Sequence, residues 1–184
     1  MTDPDRMPPI PAERLTPQQK AVSDELVSGP RGALAGPFVP LLRSPGLMAR
    51  VQKVGEYLRF ESGLPDRIKE LAILVVARHW SQGYEWMFHL PLALKAGVER
   101  ETAQAIAEGR RPVGMTAAEA AAYEFLVELN ESKCVGDAAY ARALEAFGEA
   151  GVVDLTGFAG YYTLLAMTMN VARTPSGEAE IPLG

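Results

Sequence analysis

Residues 70–89 read ELAILVVARHWSQGYEWMFH. The first half is apolar around most of its helical circumference, which is typical of a buried central helix. Glu70 opens this half, where an unpaired charge would be costly. In the second half, Glu85 and His89 are four residues apart and would share one face of a helix. The stretch therefore predicts a buried helix followed by a helix that carries titratable side chains.

The rest of the chain is also patterned for helices. Thr16 is followed three residues later by Gln19, and Thr116 is followed three residues later by Glu119. Such pairs form the capping boxes that start helices. No stretch alternates apolar and polar residues as a half-buried strand would. We therefore predict an all-α fold, with helices over residues 17–28, 45–61, 66–80, 83–97, 100–108, 116–131, 137–149 and 153–173.

Length and composition suit one compact domain over residues 1–184, because 48% of the residues are hydrophobic. Residues 1–14 are rich in proline and charge and should form an extended N-terminal arm. Residues 175–184 should form an extended tail that lies on a neighbouring subunit. Residues 29–46 mix prolines and glycines with apolar side chains, which predicts an ordered loop packed over the core.

Bulk composition argues against several classes of protein. A net charge of -5 is opposite to the basic surface of a nucleic-acid-binding protein. No apolar run reaches the roughly 18 residues that a membrane span needs, and the N-terminus lacks the apolar core of a secretory signal. The single cysteine, Cys134, has no partner for an internal disulfide. We expect a cytoplasmic protein that binds a small molecule rather than nucleic acid or a membrane.

A carboxylate and an imidazole held together can exchange a proton near neutral pH, so residues 70–89 suggest general acid–base chemistry. Each residue also has a purely structural interpretation. His89 could be a core histidine bonded to a backbone carbonyl, and Glu85 a carboxylate favoured by the start of its helix. Glu70 could form an ion pair with Arg67, Arg78 or a distant arginine. The joint occurrence of the three favours a site.

These residues resemble the core motif of the carboxymuconolactone decarboxylase family, whose superfamily includes the AhpD-like alkylhydroperoxidases. The resemblance is carried by Glu70, the apolar run, Tyr84-Glu85-Trp86, His89 and Ala93-Leu94-Lys95-Ala96-Gly97-Val98, and extends from residues 36–38 to residues 160–170. It implies an all-helical AhpD-like domain that assembles as a homo-oligomer, a trimer or hexamer. It also implies an active site at the motif helix, near a subunit interface.

The chain departs from the peroxidase branch of this family at two positions. That branch carries Cys-x-x-Cys-x-x-x-His, preceded one helix earlier by a glutamate that relays protons. Here Glu70 and His89 match the glutamate and the histidine, but the cysteine positions hold Gln82 and Glu85. Neither can act as a thiolate, and Cys134 is far along the chain. The sequence therefore predicts that thiol peroxidase chemistry is absent and that the acid–base residues remain.

The decarboxylase branch, as the resemblance implies, removes carbon dioxide from a carboxylated unsaturated lactone without a metal or an organic cofactor. The electrons left behind must delocalise into the lactone carbonyl, and a general acid must protonate carbon. We expect His89 to be that acid or the oxyanion donor. Glu85 would hold and polarise His89, while Glu70 would relay protons or orient the substrate. The expected catalytic residues are therefore Glu70, Glu85 and His89, with no cofactor-binding or metal-binding residues.

Some features stay open at this point. An acidic substrate needs a cation, which Arg31, Arg78 or Arg173 could supply. The same scaffold could instead support a different enolising isomerase or a hydrolase. Two carboxylates and a histidine could also bind zinc or iron, although di-iron bundles favour Glu-x-x-His over the Glu-x-x-x-His spacing found here. A non-catalytic oligomer that binds a small ligand is a further alternative.

Overall fold

The computed structural model describes residues 4–183, so residues 1–3 of the expected arm and residue 184 of the expected tail lie outside the described residues. The described part is helical and contains no strand. The α-helices are α1 (Pro17–Ser28), α2 (Phe38–Leu41), α3 (Pro45–Glu56), α4 (Asp66–His79), α5 (Gly83–Lys95), α6 (Arg100–Ala107), α7 (Ala117–Ser132) and α8 (Asp137–Ala172). The all-α prediction is confirmed.

Helix α4 is the centre of the fold. It packs against α5, α6, α7 and α8, and its residues 71–77 are all buried. An apolar surface around the whole helix is stable only when neighbours cover every side, which is the arrangement found here. The prediction of a buried central helix is therefore confirmed, and the helix places Glu70 near its first turn beside α5.

Both predicted capping boxes are formed at the helix starts where the sequence predicts them. Thr16 accepts a hydrogen bond from the backbone of Gln19, and Thr116 does the same for Glu119, so both capping boxes are formed. Between α4 and α5, Ser81 adopts a left-handed conformation with φ of 47°. This turn ends one helix and reverses the chain, so that α5 packs back against α4.

Two boundaries differ from the prediction. The helix expected over residues 45–61 changes at Tyr57–Glu61 into one turn of π-helix. The break expected between residues 149 and 153 occurs earlier, at Gly148, where φ is 68° and ψ is 176°. Only glycine adopts this conformation without strain. Helix α8 is therefore kinked at Gly148 and is regular before and after it.

The loop over residues 29–46 covers the core, as its apolar composition predicts. It contains α2, and its Phe38, Leu41 and Leu42 side chains are buried. Apolar loop residues become ordered in this way because burial offsets the conformational entropy that the loop loses. The loop also brings Arg31 to the region of α5 described below.

Both ends of the described chain pack on this same chain. Residues 12–14 form one 3₁₀ turn, and the backbone of Arg6 donates to the carbonyl of Ala172. In the tail, Ile181 is buried and its carbonyl accepts a hydrogen bond from the Trp86 indole at 2.5 Å. The tail therefore contacts its own chain, because Trp86 requires a buried acceptor and the tail supplies it, and the expected contact with a neighbouring subunit stays a prediction. None of the described helices is long and apolar enough to cross a bilayer.

Candidate active site

The structure brings the three predicted site residues together. Glu70 projects from α4, and Glu85 and His89 project from the neighbouring α5. Nδ1 of His89 donates to Oε2 of Glu70 at 2.7 Å. Nε2 of His89 lies 3.4 Å from Oε2 of Glu85, one helical turn earlier. The imidazole is therefore placed between two carboxylates, one on each ring nitrogen.

This cluster is shielded from water. The side chains of His89 and Glu85 are 3% and 5% exposed, and that of Glu70 is 13% exposed. The rings of Tyr162 and Phe88 lie edge-on to the imidazole, with centroid distances of 5.4 and 5.1 Å. Electrostatic interactions strengthen in such a low-dielectric environment, so each carboxylate acts strongly on the imidazole.

The electrostatic balance keeps His89 protonated at higher pH than an ordinary histidine. Burial alone would lower the pKa of His89, because desolvation disfavours the charged ring. The hydrogen bonds with Glu70 and Glu85, together with their negative charges, outweigh this effect and raise the pKa above its usual value. His89 is therefore a reservoir for a proton near neutral pH.

The cluster opens onto a small cavity on one side only. Glu85 and His89 line a cavity of about 110 Å³ together with Arg31, Arg59, Tyr84 and Phe88, whereas Glu70 does not reach it. The second carboxylate oxygen of Glu85, Oε1, is buried and has no hydrogen-bond partner among the described residues. A buried carboxylate oxygen without a partner is costly, so this oxygen is the natural contact for a ligand.

Two arginines supply positive charge to the cavity. Arg31 donates from Nη2 to the hydroxyl of Tyr161 at 3.0 Å, and its guanidinium lies 4.7 Å from the centre of the Phe38 ring. Gly55 of α3 makes room for this arrangement, because a Cβ there would lie 2.3 Å from Nη2 of Arg31. Arg59 belongs to the π-turn and makes no ion pair with the described residues. Arg31 is thus a fixed donor, and Arg59 is available to an anion.

Of the three arginines that the sequence offered as cations for an acidic substrate, one lies at this cavity. Arg31 lines the cavity, whereas Arg78 lines a different one and Arg173 lies at the end of α8. Arg59 is not recognisable from the sequence as a cavity residue, because an uninterrupted helix over residues 45–61 gives no sign that its last turn widens into a π-helix. Gly55 marks the close approach of Arg31 instead, as a glycine within a helix often does.

Several structural interpretations are also decided. Glu70 pairs with His89, whereas Arg67 pairs with Glu119 at 2.6 Å. Among the aromatic residues of the stretch 80–88, Tyr84 and Phe88 line the cavity. Trp86 is fully buried in the core, and the indole of Trp80 donates to Thr163.

A metal does not fit this arrangement well. Glu70 lies at Nδ1 of His89 and Glu85 lies at Nε2, so the two carboxylates do not converge with one ring nitrogen on a single point. Within residues 4–183, no group of three or more His, Cys, Asp or Glu side chains has the geometry to hold a metal ion. The chemistry of the donor set is that of proton transfer.

Comparison with known families places the cluster in context. The sequence profile described as the carboxymuconolactone decarboxylase family matches residues 45–128, from the start of α3 into α7, and therefore includes all three clustered residues. Among solved structures, the chain resembles an uncharacterised peroxidase-related protein with an alkylhydroperoxidase AhpD core from Ralstonia eutropha. The TM-score is 0.76 at 14% sequence identity, over 96% of this chain and 94% of that chain. Residues 45–128 of the chain are therefore similar to this family, and the fold is that of the AhpD core.

A second solved structure has the same fold. An AhpD-like protein of unknown function from Agrobacterium tumefaciens superposes with a TM-score of 0.67 at 16% identity, over 75% of this chain and 95% of that chain. No curated protein matches the sequence. In this chain, Gln82 donates to the side chain of Asn170 at 2.7 Å and caps α5, so it has a structural role.

Proposed function

We propose that this chain is an acid–base lyase that removes carbon dioxide from a small carboxylated lactone or a related ring-cleavage product. The observation that carries the proposal is the buried Glu70–His89–Glu85 cluster, whose one unpartnered oxygen belongs to Glu85 and borders a cavity with two arginines. The similarity of residues 45–128 to the carboxymuconolactone decarboxylase family supports the reaction type.

The charges around the cavity favour an anionic substrate. Arg59 is available to bind a substrate carboxylate, because no carboxylate of the described chain pairs with it. Arg31 is held in place by Tyr161, and its Nε is buried without a partner. A preorganised donor of this kind stabilises charge that develops during a reaction. We assign Arg59 to substrate binding and Arg31 to the carbonyl oxygen of the lactone.

The proposed reaction proceeds in two steps. The bond between the ring carbon and the departing carboxylate breaks, carbon dioxide leaves, and the electron pair moves into the lactone carbonyl as a dienolate that Arg31 stabilises. Nε2 of His89 passes its proton to Glu85, Glu85 delivers a proton to the ring carbon, and the carbonyl forms again. A proton from solvent then restores the imidazolium, which Glu70 stabilises through Nδ1. One substrate anion and one proton thus give the decarboxylated lactone and carbon dioxide.

This arrangement assigns the carboxylates differently from the sequence-based expectation. Glu70 holds and polarises the imidazole, since its contact at 2.7 Å is the shorter one. Glu85 faces the cavity and meets the substrate. His89 stays the source of the proton in both versions.

The test is decarboxylation of 4-carboxymuconolactone, followed by ultraviolet absorbance at equal enzyme concentrations. We expect turnover by the wild type, and a loss of at least about 100-fold in Glu85→Gln and His89→Ala, the usual scale for a general acid. Glu145→Gln, an exposed glutamate outside the cavity, is the matched control and should retain wild-type activity. Turnover within a few-fold of wild type in both variants would contradict the proposal.

A second candidate follows from the unpartnered oxygen of Glu85, which could also act as a base. An enolising isomerase would use it to remove a proton beside a carbonyl, with Arg31 stabilising the enolate. This activity is distinguished by incubating the unsaturated lactone product in deuterium oxide. Deuterium incorporation without turnover of the carboxylated lactone, lost in Glu85→Gln, would favour the isomerase over the lyase.

A further inference from the structure

A second cavity lies on the other part of α4, away from the cluster. It has a volume of about 310 Å³, larger than the candidate active-site cavity, and it is formed where α4, α6 and α7 meet. The two cavities share no lining residue. Nothing in the proposed reaction uses it.

Two polar side chains of this cavity lack partners. Nε of Arg78 and Nδ2 of Asn130 are both buried and make no hydrogen bond with the described residues. Buried donors without acceptors are rare because they lose their hydration without compensation. Both are donors, and both belong to residues that line one cavity. The missing partner is therefore an acceptor that enters from outside.

The backbone is also adapted to this arginine. Gly109, just after α6, has φ of 71°, and a Cβ there would lie 3.1 Å from Nη2 of Arg78. The glycine thus allows the guanidinium to approach the end of α6 closely. The remaining walls include the apolar side chains of Val75, Ile106 and Val127 and the ring of Tyr123.

The charge at this cavity suits a single negative charge. Arg78 is a permanent cation, and no carboxylate of the described chain forms an ion pair with it. Burial lowers the pKa of His79, with Lys133 acting in the same direction and Glu131 against it, which favours the neutral form of His79. Glu131 at the same cavity repels any anion, and it repels a doubly charged group such as a phosphate more strongly than a single carboxylate. A carboxylate is the acceptor that fits.

We propose that this second cavity binds a small carboxylic acid with a flat apolar body, whose carboxylate accepts hydrogen bonds from Arg78 and Asn130. Val75, Ile106, Val127 and Tyr123 cover the apolar body. A binding site of this composition, mostly apolar with a few convergent polar groups, is the usual form of a small-molecule site.

The test is a titration of the full chain with benzoate, followed by NMR of side-chain methyl groups. The methyl signals of Ile106 and Val127 report on this cavity, and those of Leu165 report on the candidate active site. We expect saturable shifts of Ile106 and Val127. Benzamide, which has the same shape without the charge, should bind at least ten-fold more weakly.

Two variants connect binding to the unpaired donors. Arg78→Met keeps the apolar stem and removes no hydrogen bond, and it should weaken benzoate binding at least ten-fold. Asn130→Asp keeps the shape of the side chain but places a negative charge beside the carboxylate, so it should weaken benzoate binding by a similar factor. If Arg78→Met does not fold, the affinity of Asn130→Asp for benzoate tests the proposal. Arg59→Met is the control and should leave the Ile106 and Val127 shifts unchanged.

Three results would overturn the proposal. Absence of benzoate binding at these methyls would mean that water satisfies the two donors. Shifts confined to Leu165 would place benzoate at the candidate active site only. Wild-type affinity for benzoate in Asn130→Asp would show that the carboxylate of benzoate does not bind beside Asn130. None of these results bears on the lyase, whose test uses a different cavity and different variants.

Discussion

At the scale of single residues, His89 controls the acid–base behaviour of the cluster. Its ring nitrogens face Glu70 and Glu85, and no other histidine in the described chain has this environment. Because both carboxylates stabilise the imidazolium, each contributes to the raised pKa of His89. Removing either one should therefore have a measurable effect on titration as well as on rate.

We expect the pH dependence of kcat/KM to report on His89. The proton donor is present below the pKa of His89 and is lost as pH rises through it, so activity should persist above the pKa of an ordinary histidine and then decrease. Glu70→Gln removes the 2.7 Å charge-assisted bond, so the pKa falls and the decrease begins at lower pH. The measurement is a pH–rate profile of both proteins.

Glu145→Gln is the control for this profile, because it changes the same type of side chain on the surface. It should leave the upper limb of the profile in place. A Glu70→Gln profile that coincides with that of the wild type would show that Glu70 does not tune His89. A uniform loss of rate without a shift would assign Glu70 a purely structural role.

At the scale of elements, the start of α7 combines a cap and an ion pair. Glu119 is fully buried, accepts from the backbone of Thr116 and pairs with Nε of Arg67 on α4 at 2.6 Å. The Glu119 side chain therefore caps the start of α7 and also holds α7 against the central helix α4. The capping motif was readable from the sequence, but the ion pair was not.

We expect Glu119→Ala to lower the free energy of unfolding by about 3 kcal/mol, because it removes the cap and leaves Arg67 without its partner. Thr116→Ala removes only the capping hydroxyl and should cost about 1 kcal/mol. Urea denaturation of both variants measures the difference. Equal losses in the two variants would mean that the ion pair contributes nothing beyond the cap.

Helix α8 offers a matched pair of glycines. Gly148 has φ of 68° and ψ of 176°, whereas Gly160 lies within the regular helix, where an added Cβ would meet no heavy atom within 4 Å. We expect Gly148→Ala to destabilise the fold by about 1–3 kcal/mol through backbone strain. Gly160→Ala should instead stabilise it, by up to about 1 kcal/mol. Thermal or urea unfolding checks the opposite signs, and the same sign in both would refute the assigned strain.

At the scale of the whole molecule, α3 and the π-turn expose several large apolar side chains. Leu47, Val54, Tyr57 and Phe60 are each about half exposed, between 46% and 51%. Clustered apolar surface of this kind is typical of an interface. Because Arg59 lies in the same π-turn, such an interface would border the candidate active site.

We predict that the protein is a trimer or a hexamer at micromolar concentration, measured by light scattering. Val54→Glu places a charge on the exposed apolar surface and should reduce the assembled mass. Val113→Glu is the control, since Val113 is exposed in a loop between α6 and α7 and should leave the mass unchanged. A monomeric wild type would contradict the prediction.

Much of the fold and part of the site could be predicted from the sequence, because both depend on local patterns. Helices are indicated by periodicity and caps, and Glu85 and His89 share a face because they lie one turn apart on a single helix. Glu70 was identified as a carboxylate that needs a partner. The sequence could not show that this partner is His89 rather than Arg67 or Arg78, because the partner depends on how α4 is rotated against α5.

The sequence alone therefore determined the helical architecture, the buried central helix, the resemblance to the family motif and the absence of cysteine at positions 82 and 85. These features are encoded in residue types and in spacings of a few residues. Only the tertiary structure decided that Arg31 and Arg59 meet one cavity, that the tail covers Trp86 of its own chain, and that Arg78 and Asn130 share a second cavity. Each of these depends on packing between residues far apart in the chain, where side-chain volume and helix orientation act together.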